Sequence, residues 1–180
     1  MGNDEKLKIA ICGRMASGKT TLANEIVKNY GEGEVLSLAT EVKNVARRVF
    51  GMVEKDRPLL QQIGMKMRDI EQDVWLNFLL RQADDSDAPI VVVDDVRFVN
   101  EVDKMRNDGF VTIKIVIDEE RQLERLKKTY PNDWEIHWEN RNNPSEMEVD
   151  LVPDWWFDFT VSAQEIETGW DFPRLFQKRD

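Results

Sequence analysis

Eight residues near the amino end, GRMASGKT from Gly13 to Thr20, constrain this chain more than any other feature. They match G-x-x-x-x-G-K-[ST] and stand between two segments of different periodicity. Before them, Leu7–Cys12 (LKIAIC) is a short apolar run closed by a glycine, the pattern of a buried strand. After them, Lys19–Tyr30 puts Leu22, Ala23, Ile26 and Val27 on one face, an amphipathic helix ended by Gly31-Glu32-Gly33. Strand, glycine-bearing turn and helix in that order direct successive backbone N–H groups and the positive end of a helix dipole at one point, a cradle for phosphate. The glycines permit angles and close approach closed to other residues. Gly13, Ala16, Ser17, Gly18, Lys19, Thr20 and Thr21 are the expected phosphate-binding positions. Lys19 reaches the β- and γ-phosphates, and the Thr20 hydroxyl ligates Mg²⁺. The segment therefore predicts a nucleoside triphosphate, ATP with Mg²⁺, as ligand.

The rest of the chain alternates in the same way. Short strands are expected at Glu34–Leu38, Ile90–Val93, Val111–Ile117 and, last, Trp155–Val161. Helices are expected at Val42–Phe50, Pro58–Arg81 (with a break), Asn100–Asn107 and Glu119–Lys128. The run Ile90–Val93 (IVVV) holds no polar residue, as suits a parallel strand covered on both faces. The pattern predicts an α/β fold: a mostly parallel five-stranded sheet flanked by helices, in one domain over residues 1–180.

With 35 acidic against 25 basic residues the net charge is −10, which disfavours nucleic acid and anionic membranes as partners. It leaves room for a small anion in a local basic pocket. No stretch approaches the roughly 20 apolar residues of a membrane span, and Met1–Lys8 lacks an apolar signal core. The single cysteine, Cys12, excludes an internal disulfide and suits a reducing, cytoplasmic setting. His137 is the only histidine, so a His-rich metal site is excluded.

A phosphate loop needs a second acidic group at the end of a neighbouring strand to hold Mg²⁺. IVVVDDVRF supplies Asp94 and Asp95 there, outside the carboxyl end of the strand where open parallel sheets bind ligands. Alternation points only one of the two into the site. Asp95 is the preferred metal and catalytic carboxylate, with Arg97 two residues on to reach phosphate. The competing role for either aspartate is to cap the helix that follows. No [NT]-K-x-D segment occurs, and no D-x-x-G follows the loop, which weakens a GTPase reading.

Between Arg57 and Trp75 a helical wheel separates two faces. Leu60, Ile63, Met67, Ile70 and Val74 form an apolar stripe for the core. Gln61, Gly64, Arg68 and Trp75 cluster about a third of a turn away. That edge suits a nucleotide-like acceptor, with Arg68 for phosphate, Gln61 for a base edge, Trp75 for stacking and Gly64 for clearance. On periodicity alone a solvated arginine and a core tryptophan explain it as well.

Three longer segments carry a resemblance: LSLATEVKNVARRVFG (Leu36–Gly51), RPLLQQIGMKMRDIEQDVWLNFLL (from Arg57) and VVVDDVRFVNEVDKMRNDGF (from Val91). With the phosphate loop they resemble the bacteriophage-type deoxynucleoside monophosphate kinases of the P-loop kinase superfamily. The resemblance implies a P-loop kinase fold with a lid, here about residues 119–148, and an acceptor site using Lys43, Gln61, Arg68, Trp75 and Arg97. Arg121 and Arg125, spaced i, i+4, present two cations on one face and take the place of the family's basic lid. Pro144-Ser145-Glu146 is similar to a Ser-Glu segment of the family, although Asn143 stands where a histidine is common. After that the sequence departs. Trp134, Trp138, Trp155, Trp156 and Trp170 are dense in the tail, where core packing is the default and a lid contact, base stacking or a homodimer surface are the alternatives.

The reaction implied is transfer of the ATP γ-phosphoryl group to a (deoxy)nucleoside 5′-monophosphate. Lys19, Mg²⁺, Arg121 and Arg125 neutralise charge, while Arg68 and Arg97 hold the acceptor. Two rivals stand beside it: a kinase of another phosphorylated metabolite, such as dephospho-coenzyme A or phosphomevalonate, and a regulatory module that binds ATP without transfer.

Overall fold

The computed structural model describes residues 6–142 and 144–170, with the side chains of residues 57, 144 and 145 left aside. In chain order the elements begin with β1 (Leu7–Gly13), α1 (Lys19–Tyr30), β2 (Glu34–Leu36), α2 (Leu38–Phe50), α3 (Arg57–Ile70) and α4 (Val74–Asp85). They continue with β3 (Ile90–Val96), α5 (Val99–Asn107), β4 (Val111–Val116), α6 (Glu119–Thr129), α7 (Trp134–Glu139), α8 (Pro144–Met147), β5 (Phe159–Ser162) and α9 (Ala163–Thr168). Three short 3-10 turns lie between α7 and β5. The five strands form one parallel sheet in the order β2-β3-β1-β4-β5. Parallel pairing needs crossovers, and the helices between strands supply them.

The apolar runs read from the sequence form the sheet's interior. Ile9, Ile11, Ile90, Val92, Ile113 and Ile115 point to one side, against Leu22, Ala23 and Ile26 of α1. The alternate residues Ala10, Cys12, Val91 and Val93 are buried as well, so both faces are covered. Because every strand runs the same way, the ends of β1, β3 and β4 share one edge. The loop from Gly13 and the Asp94-Asp95 pair open there.

Two compact units make up the chain: Met1–Val35 with Ala88–Asp180, and Leu36–Asp87. The second is helical, with α2 packed on α3 and α4. The break expected within Pro58–Arg81 falls between α3, which ends at Ile70, and α4, which starts at Val74. The proposed stripe therefore does not run through. Ile63 is buried, whereas Ile70, the last residue of α3, is 82% exposed. The last strand also starts later than expected. Trp155 and Trp156 sit in a 3-10 turn (Asp154–Trp156), and pairing with β4 begins at Phe159. Asp158 sets that start, its carboxylate accepting from the Thr112 N–H at 2.8 Å while its own N–H donates to the Thr112 carbonyl at 2.9 Å. Among the described residues no helix is long and apolar enough to cross a membrane.

Candidate active site

The phosphate loop leaves β1 at Gly13 and enters α1 at Gly18, whose φ of 100° is left-handed. Ala16 at the apex also has a positive φ, 59°. Such alternation curls a backbone into a concave nest. Its carbonyls are taken from outside. The Met15 carbonyl accepts from Gln122 Nε2 at 3.0 Å, and those of Ala16 and Ser17 accept from Arg125 Nη1 at 3.0 and 2.7 Å. In a planar trans peptide the next residue's N–H points opposite to the carbonyl. The N–H groups of Ala16, Ser17 and Gly18 are thereby turned away from α6, and that of Ser17 donates to the Arg14 carbonyl at 3.3 Å. The first turn of α1 holds no acidic residue to oppose an anion.

Lys19 lies across this loop. Its Nζ donates to the carbonyls of Gly13 and Arg14 at 2.7 and 2.8 Å, and the side chain is buried. Burial pushes its ammonium down to about 8; the Arg97 charge acts in the same sense and Glu146 opposes it. Thr20 Oγ1 donates to Asp94 Oδ2 at 2.6 Å. Asp94 is thus the aspartate whose carboxylate meets the loop's hydroxyl, with Asp95 beside it half-buried. Asp94 follows Ile90 and Val92 on the α1 side of the sheet, where Thr20 lies; beyond it Ala10 pairs with Val93 but Cys12 with Val96, which puts one extra residue on β3 at the aspartates. Burial raises the Asp94 pKa above the usual carboxylate range, opposed by the Thr20 hydrogen bond.

Capping of α5 falls to Glu101 instead of either aspartate. Its Oε2 accepts from the N–H groups of Arg97 and Phe98 at 2.9 and 3.1 Å, which fixes the turn carrying Arg97. The Arg97 guanidinium in turn donates through Nη1 to Glu146 Oε1. The other Glu146 oxygen accepts from the Met15 N–H at 2.7 Å. Arg121 and Arg125 share one face of α6, as their spacing predicts, and both donate to Glu167 of α9 at 2.6 Å. A cleft of about 330 Å³ opens at the same edge of the sheet, lined by Gly13, Arg14, Lys114, Ile117, Asp118 and Asp150 among others.

The remaining expected acceptor residues belong to the helical unit. Lys43 is half-buried on α2; Gln61 and Arg68 are exposed on α3. Trp75, in the first turn of α4, is 5% exposed, and its indole N–H donates to the Gly64 carbonyl at 3.2 Å. Trp75 and Gly64 do meet, but across two helices and inside their packing. Beside Gly64 the nearest side-chain atom to an added Cβ is Arg68 Nη1 at 4.0 Å, so the glycine leaves space next to that guanidinium. Asn143 lies outside the described residues, as do Met1–Glu5 of the amino-terminal stretch.

Sequence reasoning did not assign Gln122, Glu101 or Glu167. Gln122 had a signal, a polar residue at the core-facing position four before Leu126 on α6. Glu101 had another, an acid three residues after Phe98 at a helix start.

The chain belongs to the family described as AAA domain (AAA_18), whose model matches residues 9–148. No curated protein matches the sequence. Solved structures with a similar fold include a shikimate kinase from Bacteroides thetaiotaomicron, with 15% identity, 94% of this chain and 93% of that one covered, and a TM-score of 0.52. A gluconokinase from Sinorhizobium meliloti 1021 gives 13%, 94%, 86% and 0.53. An uncharacterized protein from Eubacterium ventriosum gives 13%, 91%, 97% and 0.55. At these identities the likeness is one of fold: a five-stranded parallel sheet flanked by helices, the P-loop kinase fold.

Proposed function

We propose that this AAA-domain family member is a phosphotransferase that moves the γ-phosphoryl group of Mg-ATP to the phosphate of a (deoxy)nucleoside 5′-monophosphate in the cytoplasm. The observation that carries the reading is the grouping at one sheet edge. The loop amides, Lys19 and the Thr20–Asp94 pair stand on the donor side, and Arg97 is held two residues beyond Asp95. A triphosphate needs the first set, and a second anionic group is the natural ligand of the last.

Mg²⁺ fits the donor set. Thr20 and Asp94 offer hard oxygens 2.6 Å apart beside the loop. Among the described residues no cluster of three or more His, Cys, Asp or Glu could form an all-protein cage. A magnesium ion bound by one or two protein oxygens, phosphates and water is the usual arrangement. Bound there, Mg²⁺ supplies charge neutralisation on the phosphates. Lys19 exchanges its loop carbonyls for phosphate oxygens, and Arg97 orients the acceptor phosphate. That phosphate is already ionised at neutral pH, so alignment and charge compensation suffice without a strong base. Arg125 keeps the loop's amides aimed by holding its carbonyls, with Arg121 tied to the same Glu167. Lys43, Gln61 and Arg68 enter as acceptor-binding residues through the sequence resemblance.

The test is coupled ADP release with Mg-ATP against ribo- and deoxynucleoside monophosphates, dephospho-coenzyme A and phosphomevalonate. Shikimate and gluconate belong in the panel, since two fold neighbours are named for them. Stimulation by a nucleoside monophosphate, lost in Arg97→Ala and Arg68→Ala, supports the reading. Stimulation by a hydroxyl acceptor alone overturns it, and ATP binding with a flat panel leaves a regulatory module.

A further inference from the structure

Glu146 is a carboxylate placed where a phosphate-binding protein has most reason to avoid one. It is 6% exposed, in a chain whose acidic residues are otherwise largely at the surface. Its two oxygens do different things: one accepts from the Met15 N–H inside the phosphate loop, the other from the Arg97 guanidinium. Both groups are more than forty residues away in sequence and on different elements. The segment carrying Glu146 is anchored on both sides of the loop. Glu148 Oε1 accepts from the Val99 N–H at 3.3 Å, Asp150 Oδ2 accepts from Arg14 Nε at 3.0 Å, and Val149 between them is buried.

Arg97 gains an orientation from this. A guanidinium has five N–H donors in a rigid fork. Glu146 engages Nη1, and among the described residues Arg97 Nε and Nη2 make no hydrogen bond. Glu101 fixes the backbone below, through the Arg97 N–H. A guanidinium held at the base and at one corner presents its remaining edge in a set direction, with its rotamer entropy already lost.

We infer that Glu146 is a positioning residue that couples the phosphate loop to Arg97, so that the loop and the anion-binding arginine keep a fixed relation. The inference rests on the kinase reading above for what Arg97 binds. It goes beyond that reading in giving a role to an acidic residue. The competing expectation is a latch, with Glu146 standing in for phosphate and leaving when nucleotide enters.

Calorimetric titration with inorganic phosphate separates the two without turnover, with the loop filled by Mg²⁺ and a non-hydrolysable ATP analogue. The proteins are wild type, Arg97→Ala, Glu146→Ala and the double variant. Loss of a hydrogen bond to a charged group weakens phosphate binding about tenfold or more in each single variant. The double variant then binds no more weakly than Arg97→Ala, because Glu146 acts through Arg97. Glu146→Gln falls between, since one amide oxygen serves only one of the two donors, and it also covers an alanine variant that fails to fold. Unchanged phosphate binding in Glu146→Ala overturns the inference. So do losses that multiply in the double variant, or tighter analogue binding, which is the latch. A flat acceptor panel with this cycle intact sinks the kinase reading and leaves the role of Glu146 standing.

Discussion

Gly13→Ala tests whether packing against β4 fixes the phosphate loop. A methyl group built there lies 2.8 Å from Ser17 Oγ and 2.9 Å from the Ile115 carbonyl oxygen, with Ile115 Cβ at 3.3 Å. Real Cβ contacts do not fall below 3.0 Å, so something moves. The serine hydroxyl can rotate. The carbonyl cannot, because Ile115 is the register partner of Gly13 in the β1–β4 pair. Overpacking against a fixed group costs about 1–3 kcal/mol. For a chain of this size that is a Tm fall of roughly 3–10 °C. The shift also passes to the amides of Ala16, Ser17 and Gly18. Losing one charge-assisted hydrogen bond to phosphate, about 1.5–3 kcal/mol, weakens Mg-ATP binding about ten- to a hundredfold. Gly51→Ala is the control, with a left-handed φ of 69° and nothing within 4 Å of an added Cβ. It loses about 1–2 kcal/mol of stability to backbone strain and leaves nucleotide affinity unchanged. The assays are thermal melts and calorimetric titration with Mg-ATP. A Gly13→Ala protein that melts and binds like wild type refutes the reasoning.

Lys19→Ala should cut acceptor-dependent turnover by about 10²–10³ and leave the melt cooperative, read by coupled ADP release and circular dichroism. Asp94→Asn should raise the Mg²⁺ concentration for half-maximal rate more than Asp95→Asn does, because Asp94 meets the Thr20 hydroxyl; a larger effect at Asp95 reverses the assignment. Burial pushes the Cys12 thiol up to about 12, so at pH 8.5 the thiolate is scarce in the folded protein. Iodoacetamide should label the native chain negligibly and the guanidinium-unfolded chain fully, read by mass; the folded-state elevation stabilises below the ordinary thiol pKa and fades as pH rises toward 12.

Local features of this fold were legible in the sequence, and the pairings between distant segments were not. Leu7–Cys12, the GRMASGKT turn and the helix from Lys19 each follow from spacing over a dozen residues, and all three appear where expected. So does Arg125 sharing a face with Arg121. What Arg125 touches was hidden, because the carbonyls of Ala16 and Ser17 lie more than a hundred residues away. Alternation said only that one of Asp94 and Asp95 faces the site, and Arg97 two residues on favoured Asp95, whereas Asp94 is the one that meets Thr20, on the side of Ile90 and Val92. The wheel over Arg57–Trp75 assumed one helix; Glu71-Gln72-Asp73 carries neither glycine nor proline to announce the break. The Trp-rich tail divides as composition could not foretell. Trp170 packs edge-on against Phe159 beside the core, while Trp155 is 72% exposed.

The site is prearranged unevenly, and that bears on how it works. Gln122 and Arg125 hold the carbonyls behind the loop's amides and so set the direction of those amides. Binding therefore orders little backbone, which favours affinity and alignment. Lys19 is different. It is buried with two neutral acceptors, the Gly13 and Arg14 carbonyls, and its depressed pKa records how poorly they replace water. Phosphate oxygens are better partners for a desolvated ammonium because they are charged. In the proposed reaction that exchange comes with nucleotide binding, and the lysine adds to the rate only as far as it meets more charge on the transferring group than on the bound triphosphate.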